Sequence, residues 1–103
     1  MRILFKEPGK DPRQMQIPNT LSVLQQLVDG YIETLTVADD VVLIFNEEGK
    51  LRGFEPNFFV GAIQDVIVGP VIVAGRDEEG EIASLTEKNA EFIGAIMRGG
   101  FDI

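Results

Sequence analysis

The alternation of apolar and polar positions predicts two strands and one helix in the first third of the chain. Residues 1–6 alternate weakly and are rich in Ile, Leu and Phe, so they favour a strand that ends at the prolines and glycine that follow. Residues 14–17 can return beside it as the second strand of a hairpin. From Leu21 to Tyr31 apolar residues recur at helical spacing, and Asn19 or Thr20 is a suitable N-cap. This pattern predicts a helix that a glycine ends.

The middle of the chain predicts strands joined by tight turns. β-Branched residues concentrate over residues 31–38, and an aspartate pair then predicts a turn. Residues 41–45 are apolar without interruption, as in a central strand that is buried on both faces. We expect residues 51–54 to return alongside them as a short strand. Because proline restricts the residue before it and glycine releases the chain, residues 55–62 predict a loop or one helical turn.

The last third predicts further strands and a second helix. Residues 66–68 and 71–75 are strand-like on either side of a Gly-Pro pair, and proline has no N–H for a ladder, so we expect a kink, a bulge or an edge position there. A charged turn leads into another strand at residues 82–85. Thr86 can cap the last helix, which we expect to end at the glycine pair 99–100. The residues expected to face inward are Ala90, Ile93 and Met97, with Phe92 and Ile96 as further candidates.

This order of elements indicates the fold class. Strand, helix, several strands and helix follow one another, with connections of hairpin length in the middle. We predict an α+β fold with a mostly antiparallel sheet of about five to six strands and two helices packed on one face. A length of 103 residues suits one domain, and we find no internal repeat or linker.

The net charge bears on the kind of partner. Seventeen acidic residues face nine basic ones, for a formal charge of −8. A field of this sign repels phosphate backbones and anionic lipid, so we expect no direct binding to nucleic acid. The imbalance is uneven, because the residues before position 20 sum to +2 and the remainder to −10. A basic surface on a partner protein therefore fits better than an acidic one.

The residue types that are absent narrow the possible chemistry. The chain has no histidine, cysteine or tryptophan, which excludes hydrolysis by an activated serine or cysteine and a cysteine-based zinc site. We expect no cofactor and no metal. No apolar run approaches the roughly 18 residues of a membrane span, and the N-terminus lacks a signal-peptide pattern. We therefore expect a cytoplasmic protein that does not act at a membrane.

The segment 46–59 is the candidate binding surface, because it gathers polar, turn-forming and aromatic residues between two apolar runs. Asn46 and Glu47 supply oxygen atoms that can orient a water molecule or hold a cation, although adjacent carboxylates at a hairpin tip usually lie in solvent. Asn57 can hold its own loop by bonding backbone groups. Alternatively, it can face Asn46 and Glu47 across the short return strand and grip a peptide or a nucleotide edge.

Phe58 and Gly69 complete the set of candidate binding residues. Phe58, with Phe59, can form an exposed platform or can complete the core or a dimer contact, and we favour one ring inward and one outward. Gly69 precedes a proline, but no phosphate-loop motif or nearby lysine accompanies it. The acidic run 77–81 lacks the spacing of a calcium loop and predicts a solvated turn.

Four segments carry a family resemblance: Tyr31-Ile32-Glu33, Asn46-Glu47-Glu48-Gly49-Lys50-Leu51, Pro56-Asn57 and Ile67-Val68-Gly69-Pro70. In these segments, and in the same order over nearly the whole chain, the sequence resembles a family of small domains of unknown function common in phages and conjugative elements of Firmicutes and in gut metagenomes. The resemblance implies an accessory role on a mobile element and singles out Asn46, Glu47, Asn57 and Gly69. The family often has a basic residue after the second asparagine, where this chain has Phe58, which weakens the case for an anion site there.

Three hypotheses about function follow. The first is a non-enzymatic, cytoplasmic accessory protein that binds a host or element-encoded protein through residues 46–59, with a homodimer as a candidate assembly. The second is an acidic mimic of nucleic acid that occupies the basic cleft of a host DNA-binding protein. The third is a small carboxylate-dependent enzyme, in which Glu47 pairs with Glu55 or Asp65 as acid and base, or a nucleotide-binding domain. A pocket that joins Glu47, Asn57 and Gly69 would favour the third.

Overall fold

Eight strands, two α-helices and a short 3-10 helix form the fold in the computed structural model, which describes residues 1–99. The bounds are β1 (Arg2–Lys6), β2 (Arg13–Gln16), α1 (Leu21–Val28), β3 (Ile32–Ala38), β4 (Val41–Asn46), β5 (Pro56–Val60), the 3-10 helix (Gly61–Ile63), β6 (Asp65–Val68), β7 (Val71–Arg76), β8 (Ile82–Ala83) and α2 (Glu87–Arg98). Gly100, the second glycine of the pair that was predicted to end the last helix, lies outside the described residues.

The strands form two antiparallel sheets. The main sheet has six strands, in the order β2-β1-β7-β4-β3, and β8 pairs with the end of β7. β5 and β6 form a separate sheet of two strands, which we call the small sheet. The predicted α+β class, with a mostly antiparallel sheet of about five to six strands and two helices, is confirmed.

The two helices lie on opposite faces of the main sheet, whereas the sequence predicted both on one face. α1 covers one face, over a core of Ile3, Phe5, Ile17, Leu24, Val28, Val42, Ile44, Ile72 and Ala74. α2 and the small sheet cover the other face, over a core of Leu4, Val41, Leu43, Val60, Ile67, Val71, Val73, Leu85, Ala90, Ile93 and Met97. Because β1, β4 and β7 present apolar side chains alternately to both sides, neither face can be left to water.

Each helix begins after a threonine cap, which is Thr20 for α1, one of the two caps that the sequence allows, and Thr86 for α2, as the sequence predicts. The Thr20 hydroxyl accepts a hydrogen bond from the Val23 N–H at 3.3 Å, and the Thr86 hydroxyl accepts one from the Asn89 N–H at 3.1 Å. Both satisfy N–H groups that have no partner inside the helix. Neither helix among the described residues has the length and apolar character needed to cross a membrane.

The helix ends and faces differ in two places from the prediction. α1 ends at Val28, because Asp29 adopts a left-handed conformation with a φ of 61°. Tyr31, which was expected to continue the helical pattern, instead precedes β3 and is 66% exposed. On α2, Ala90, Ile93 and Met97 are buried as predicted, but Phe92 is exposed.

The segment after β4 forms consecutive turns over residues 47–53, and the strand predicted at 51–54 does not form. Its backbone groups pair locally instead, as when the Phe54 N–H donates to the Gly49 carbonyl at 2.9 Å. Such short-range bonds replace those that a return strand would have made with β4. We call residues 47–53 the turn segment.

The loop or helical turn predicted at 55–62 is mainly a strand. β5 occupies residues 56–60 and pairs with β6, and the 3-10 helix follows it. The Phe-Phe-Val sequence of β5 has a high preference for strands, and this preference prevails over the preceding proline, which sits at the start of the strand, where it is tolerated.

Candidate functional site

Asn46, the last residue of β4, holds the C-terminal end of α1. Its side chain is buried, and Nδ2 donates to the carbonyls of Val28 at 3.1 Å and Asp29 at 3.0 Å. Its Oδ1 accepts from the Glu48 N–H at 2.7 Å. Because the last carbonyls of a helix have no partner inside the helix, this amide takes the place of water. Both donors and the acceptor oxygen of Asn46 are therefore engaged within the protein.

Asn57, in β5, joins the small sheet to the main sheet. Its Nδ2 donates to the carbonyls of Lys6 and Gly69, both at 2.8 Å, and its Oδ1 accepts from the Lys6 ammonium at 3.0 Å. Burial lowers the pKa of Lys6, and the opposite charge of Asp11 partly offsets this shift. Asn57 therefore forms hydrogen bonds with backbone groups, which is one of the two alternatives that the sequence left open.

Gly69 is the point at which the chain passes from the small sheet to the main sheet. Its φ is +75°, and a Cβ there would lie 2.5 Å from Cδ2 of Phe54. The Gly69 N–H donates to the Glu55 carbonyl at 2.8 Å. The Arg52 guanidinium lies 4.6 Å from the centre of the Phe54 ring. Backbone conformation and close packing thus both require glycine at this position.

Glu47 has the exposed side chain among the five predicted binding residues, whereas Phe58 packs inward. The Phe58 ring is half-buried against the core beneath α2. The Glu47 N–H donates to the Tyr31 carbonyl at 3.0 Å, which continues the pairing of β3 with β4, and its carboxylate lies at the surface. A partner can therefore reach Glu47 without disturbing the fold.

A cleft of about 180 Å³ opens beside Glu47, between the turn segment and β6. We refer to it as the cleft. Its apolar lining consists of Phe45, Val66, Ile67 and Val68, with Leu51 and Ile63. The Leu51 side chain is 88% exposed and Ile63 is 42% exposed, so both present apolar surface to solvent at the cleft. Large apolar side chains that gather around a concavity are typical of protein-interaction sites.

Asp65 and Lys50 form an ion pair across the cleft. The hydrogen bond from Lys50, together with one from the Val66 N–H, lowers the pKa of Asp65. Asp65 is therefore ionised at neutral pH and is poorly suited to act as a general acid. Glu47 shares the cleft with Asp65, whereas Glu55, the alternative acid–base partner, is not part of its lining.

The comparison with protein families gives a match over most of the chain. A family model described as a domain of unknown function, DUF3846, matches residues 1–97. The chain belongs to this family. The match includes both sheets, α1, the whole cleft and all of α2 except its last residue, Arg98. No curated protein and no solved structure matches the chain. The predicted membership of a family of unknown function is thus confirmed, and the family description gives no activity.

The fold distributes the predicted site residues over two places. Asn46 and Glu47 line the cleft, whereas Asn57, Phe58 and Gly69 do not. Gly69 instead lines a shallow depression beside Phe54. An enzyme or a nucleotide-binding domain was expected to have a pocket that joins Glu47, Asn57 and Gly69. The cleft does not join these three residues.

Sequence reasoning missed Leu51, Ile63 and Glu33 as cleft residues. The prediction of a strand at 51–54 implied that Leu51 would pack beside β4, so its exposure was not expected. A signal was nonetheless present, since Leu51 is the one apolar residue in a stretch of glycine and charged residues from position 47 to 53. Such an isolated leucine in a turn has little to pack against.

Clusters of acidic residues lie at opposite ends of β4. The run at 77–81 folds as the predicted turn, in which the Asp77 carboxylate accepts from the Glu79 and Glu81 N–H groups, both at 2.9 Å. It adjoins Asp40, before β4, whereas Glu47 follows β4. Mimicry of a phosphate row calls for one continuous face, so this division does not favour it. Among residues 1–99, no three acidic side chains are placed to hold a metal ion.

Proposed function

We propose that this domain is a non-enzymatic accessory protein of a phage or conjugative element, and that it binds another protein through the cleft in the cytoplasm of its host. The observation that carries the proposal is the exposure of Leu51 and Ile63, at 88% and 42%, beside an apolar lining. Burying such side chains against a partner is favourable, because their apolar surface leaves water.

The size of the cleft supports a protein partner over a small molecule. Pockets that enclose small ligands usually have volumes of about 300–1,000 Å³, whereas the cleft measures about 180 Å³. A cleft of this size admits one or two side chains. The rest of a partner's contact would then lie on the exposed surface around it, including Leu51.

The charges of the cleft indicate the chemistry of the partner's side chain. Glu33, Glu47 and Asp65 line it, and Lys50, which pairs with Asp65, is the one basic residue of the lining. The excess of carboxylates favours a lysine or arginine side chain flanked by apolar residues. This expectation agrees with the formal charge of −8 for the whole chain.

The non-enzymatic and mobile-element parts of the proposal rest on other grounds. The chain has no histidine or cysteine. The pKa of Asp65, in the cleft, is lowered, which moves it away from the range of a general acid. The location in the cytoplasm is the expectation from the hydropathy pattern of the sequence, and the origin in a phage or conjugative element is what the family resemblance implies.

A pull-down with matched variants tests the proposal. Immobilised wild type is exposed to a lysate of a Firmicutes host, and captured proteins are quantified by mass spectrometry. Leu51→Ser should reduce capture of the specific partner by about fivefold or more, since a central apolar anchor commonly contributes over 1 kcal/mol. Because Asn46 and Asn57 support the fold, they are unsuitable as test positions.

Leu21→Ser is the matched control, because Leu21 is also an exposed leucine, at 58%, but lies on α1, on the other face of the main sheet. It should leave capture unchanged. The proposal fails if wild type and Leu51→Ser capture the same proteins in the same amounts, or if both leucine variants lose the partner equally.

A further inference from the structure

The strand β3 forms one edge of the main sheet, and this edge is long. No described strand pairs with its outer side, and it runs for seven residues. The opposite edge, β2, has four residues, follows Pro12 and exposes Arg13 together with two glutamines. Short strands, proline and exposed basic side chains are devices that keep sheet edges from pairing with other chains. β2 has these devices and β3 does not.

The hydrogen-bond pattern shows which groups of β3 point outward. The Glu47 N–H donates to the Tyr31 carbonyl at 3.0 Å, and Ile32 lies opposite Asn46 in the β3–β4 register. Since antiparallel strands alternate the direction of their backbone groups, residues 32, 34 and 36 direct both N–H and C=O away from β4. Among residues 1–99, none of these outward groups has a protein hydrogen-bond partner.

The side chains of β3 also suit pairing. Glu33 is its one charged residue, and the others are Ile, Leu, Val, Ala and two threonines. A bulge interrupts the β3–β4 register between Thr36 and Ala38, so the regular part is residues 32–36. Its midpoint is Thr34, and the outward-directed residues 32, 34 and 36 are symmetric about that midpoint.

We propose that two copies of this chain associate through β3, in an antiparallel pairing with a twofold axis at Thr34. Ile32 would then pair with Thr36 of the second copy, and Thr34 with its own counterpart, so that every outward backbone group of residues 32–36 gains a partner. Glu33 would lie opposite Leu35 of the second copy, so no two like charges face each other directly. The result is a continuous sheet across both molecules.

A second copy suits this edge, because antiparallel pairing about Thr34 satisfies every outward backbone group of residues 32–36 and sets no like charges opposite each other. A twofold axis normal to the sheet keeps equivalent faces on the same side, so the two clefts would open on one face of the assembly. Glu33 lines the cleft and lies one residue from the axis, so each copy would place Leu35 beside the cleft of the other. The partner copy therefore extends the site.

Net charge opposes this association and gives it a distinctive salt dependence. Each copy carries a formal charge of −8, so the copies repel each other at low ionic strength. Raising the salt concentration from about 0.05 M to about 0.5 M shortens the screening length severalfold and should strengthen the dimer. Binding of a basic segment at the same edge would show the opposite trend.

Sedimentation equilibrium of the full chain at increasing concentration and at both salt levels tests the proposal. The wild-type mass should rise from 11.4 kDa towards twice that value, most clearly at high salt. Thr34→Pro removes only an outward N–H, which β4 does not use, and proline is tolerated on sheet edges. It deletes two hydrogen bonds per dimer and should weaken association by about tenfold or more.

A second variant distinguishes loss of the interface from a folding defect caused by proline. Thr34→Lys places two like charges opposite each other at the axis. It also makes the net charge of each copy less negative, so loss of the dimer cannot be attributed to general repulsion between the copies. Gln26→Lys, on the exposed face of α1, makes the same charge change elsewhere and should keep the dimer. Thr34→Val keeps the backbone N–H and should also keep it.

The outcomes are distinct. Loss of dimer in Thr34→Pro and Thr34→Lys, with dimer retained in Gln26→Lys and Thr34→Val, supports the β3 interface. A wild type that stays at 11.4 kDa up to about millimolar concentration at high salt overturns it. A dimer that survives both disruptive variants overturns it equally, because another surface must then be used.

Discussion

Replacing Asn46 with alanine tests how far α1 and the turn segment depend on one side-chain amide. The change removes hydrogen bonds to the carbonyls of Val28 and Asp29 and the one that Oδ1 accepts from the Glu48 N–H. Asn46 is 4% exposed, so water cannot readily replace the hydrogen bonds of its side-chain amide. We expect the variant to fold with clearly reduced stability.

The magnitude follows from the three groups left behind. The Val28 carbonyl has no other partner among the described residues, and an unpaired buried carbonyl costs about 1–3 kcal/mol. The Asp29 carbonyl keeps a bond from the Arg52 guanidinium at 2.6 Å, and the Glu48 N–H can turn to solvent. Each of these two losses amounts to about 0.5–1 kcal/mol. The free energy of unfolding should therefore fall by about 3 kcal/mol.

Urea unfolding followed by far-ultraviolet circular dichroism is the suitable assay, because the chain has no tryptophan to report by fluorescence. A loss of 3 kcal/mol is a large part of the roughly 5–15 kcal/mol of a typical domain. Asn19→Ala is the control, since Asn19 makes one exposed bond, to the Ile82 carbonyl at 2.9 Å. Equal midpoints for Asn46→Ala and Asn19→Ala, at equal slopes, would refute the assigned role of Asn46.

Two further predictions concern backbone geometry and an ion pair. Gly69→Ala should cost about 2 kcal/mol or more, because the new Cβ would meet Phe54 in a left-handed conformation, whereas Gly9→Ala, at a φ of +74° in open space, should cost about 1 kcal/mol. Identical urea midpoints for these two variants would contradict this reasoning. The pKa of Asp65 should lie below its usual 3.8 and should rise towards it in Lys50→Met, as read from a carboxyl NMR titration. Because the folded-state pKa is lowered, the stabilisation is present above the unfolded-state pKa and lost as pH falls through the folded-state pKa. An unchanged Asp65 titration in the variant would show that Lys50 is not the cause.

The features that the sequence predicted well are those decided by neighbouring residues. The unbroken apolar run of β4 and the threonine caps of both helices depend on local pattern and local hydrogen bonds. The same holds for the inward stripe of α2, at Ala90, Ile93 and Met97. The small sheet was only partly predicted, because an adjacent proline and glycine concealed the strand preference of β5.

The roles of the two asparagines could not be decided from the sequence, because their partners are distant along the chain. Asn46 bonds a carbonyl 18 positions earlier, and Asn57 bonds Lys6, 51 positions away. Either amide could have served a ligand or the backbone until these contacts were known. The placement of the helices is similar, since apolar runs show that both faces need cover but not which helix covers which face.

The link that Asn57 makes between the sheets has a consequence for the cleft. β6 supplies one wall and the turn segment the other, yet β6 shares no ladder with the main sheet and is held by Asn57 and by core residues such as Val60 and Ile67. Asn57, which lies outside the lining, thus helps to set the width of the cleft. Homologues that keep the lining residues but replace Asn57 are therefore expected to bind different partner side chains in the cleft.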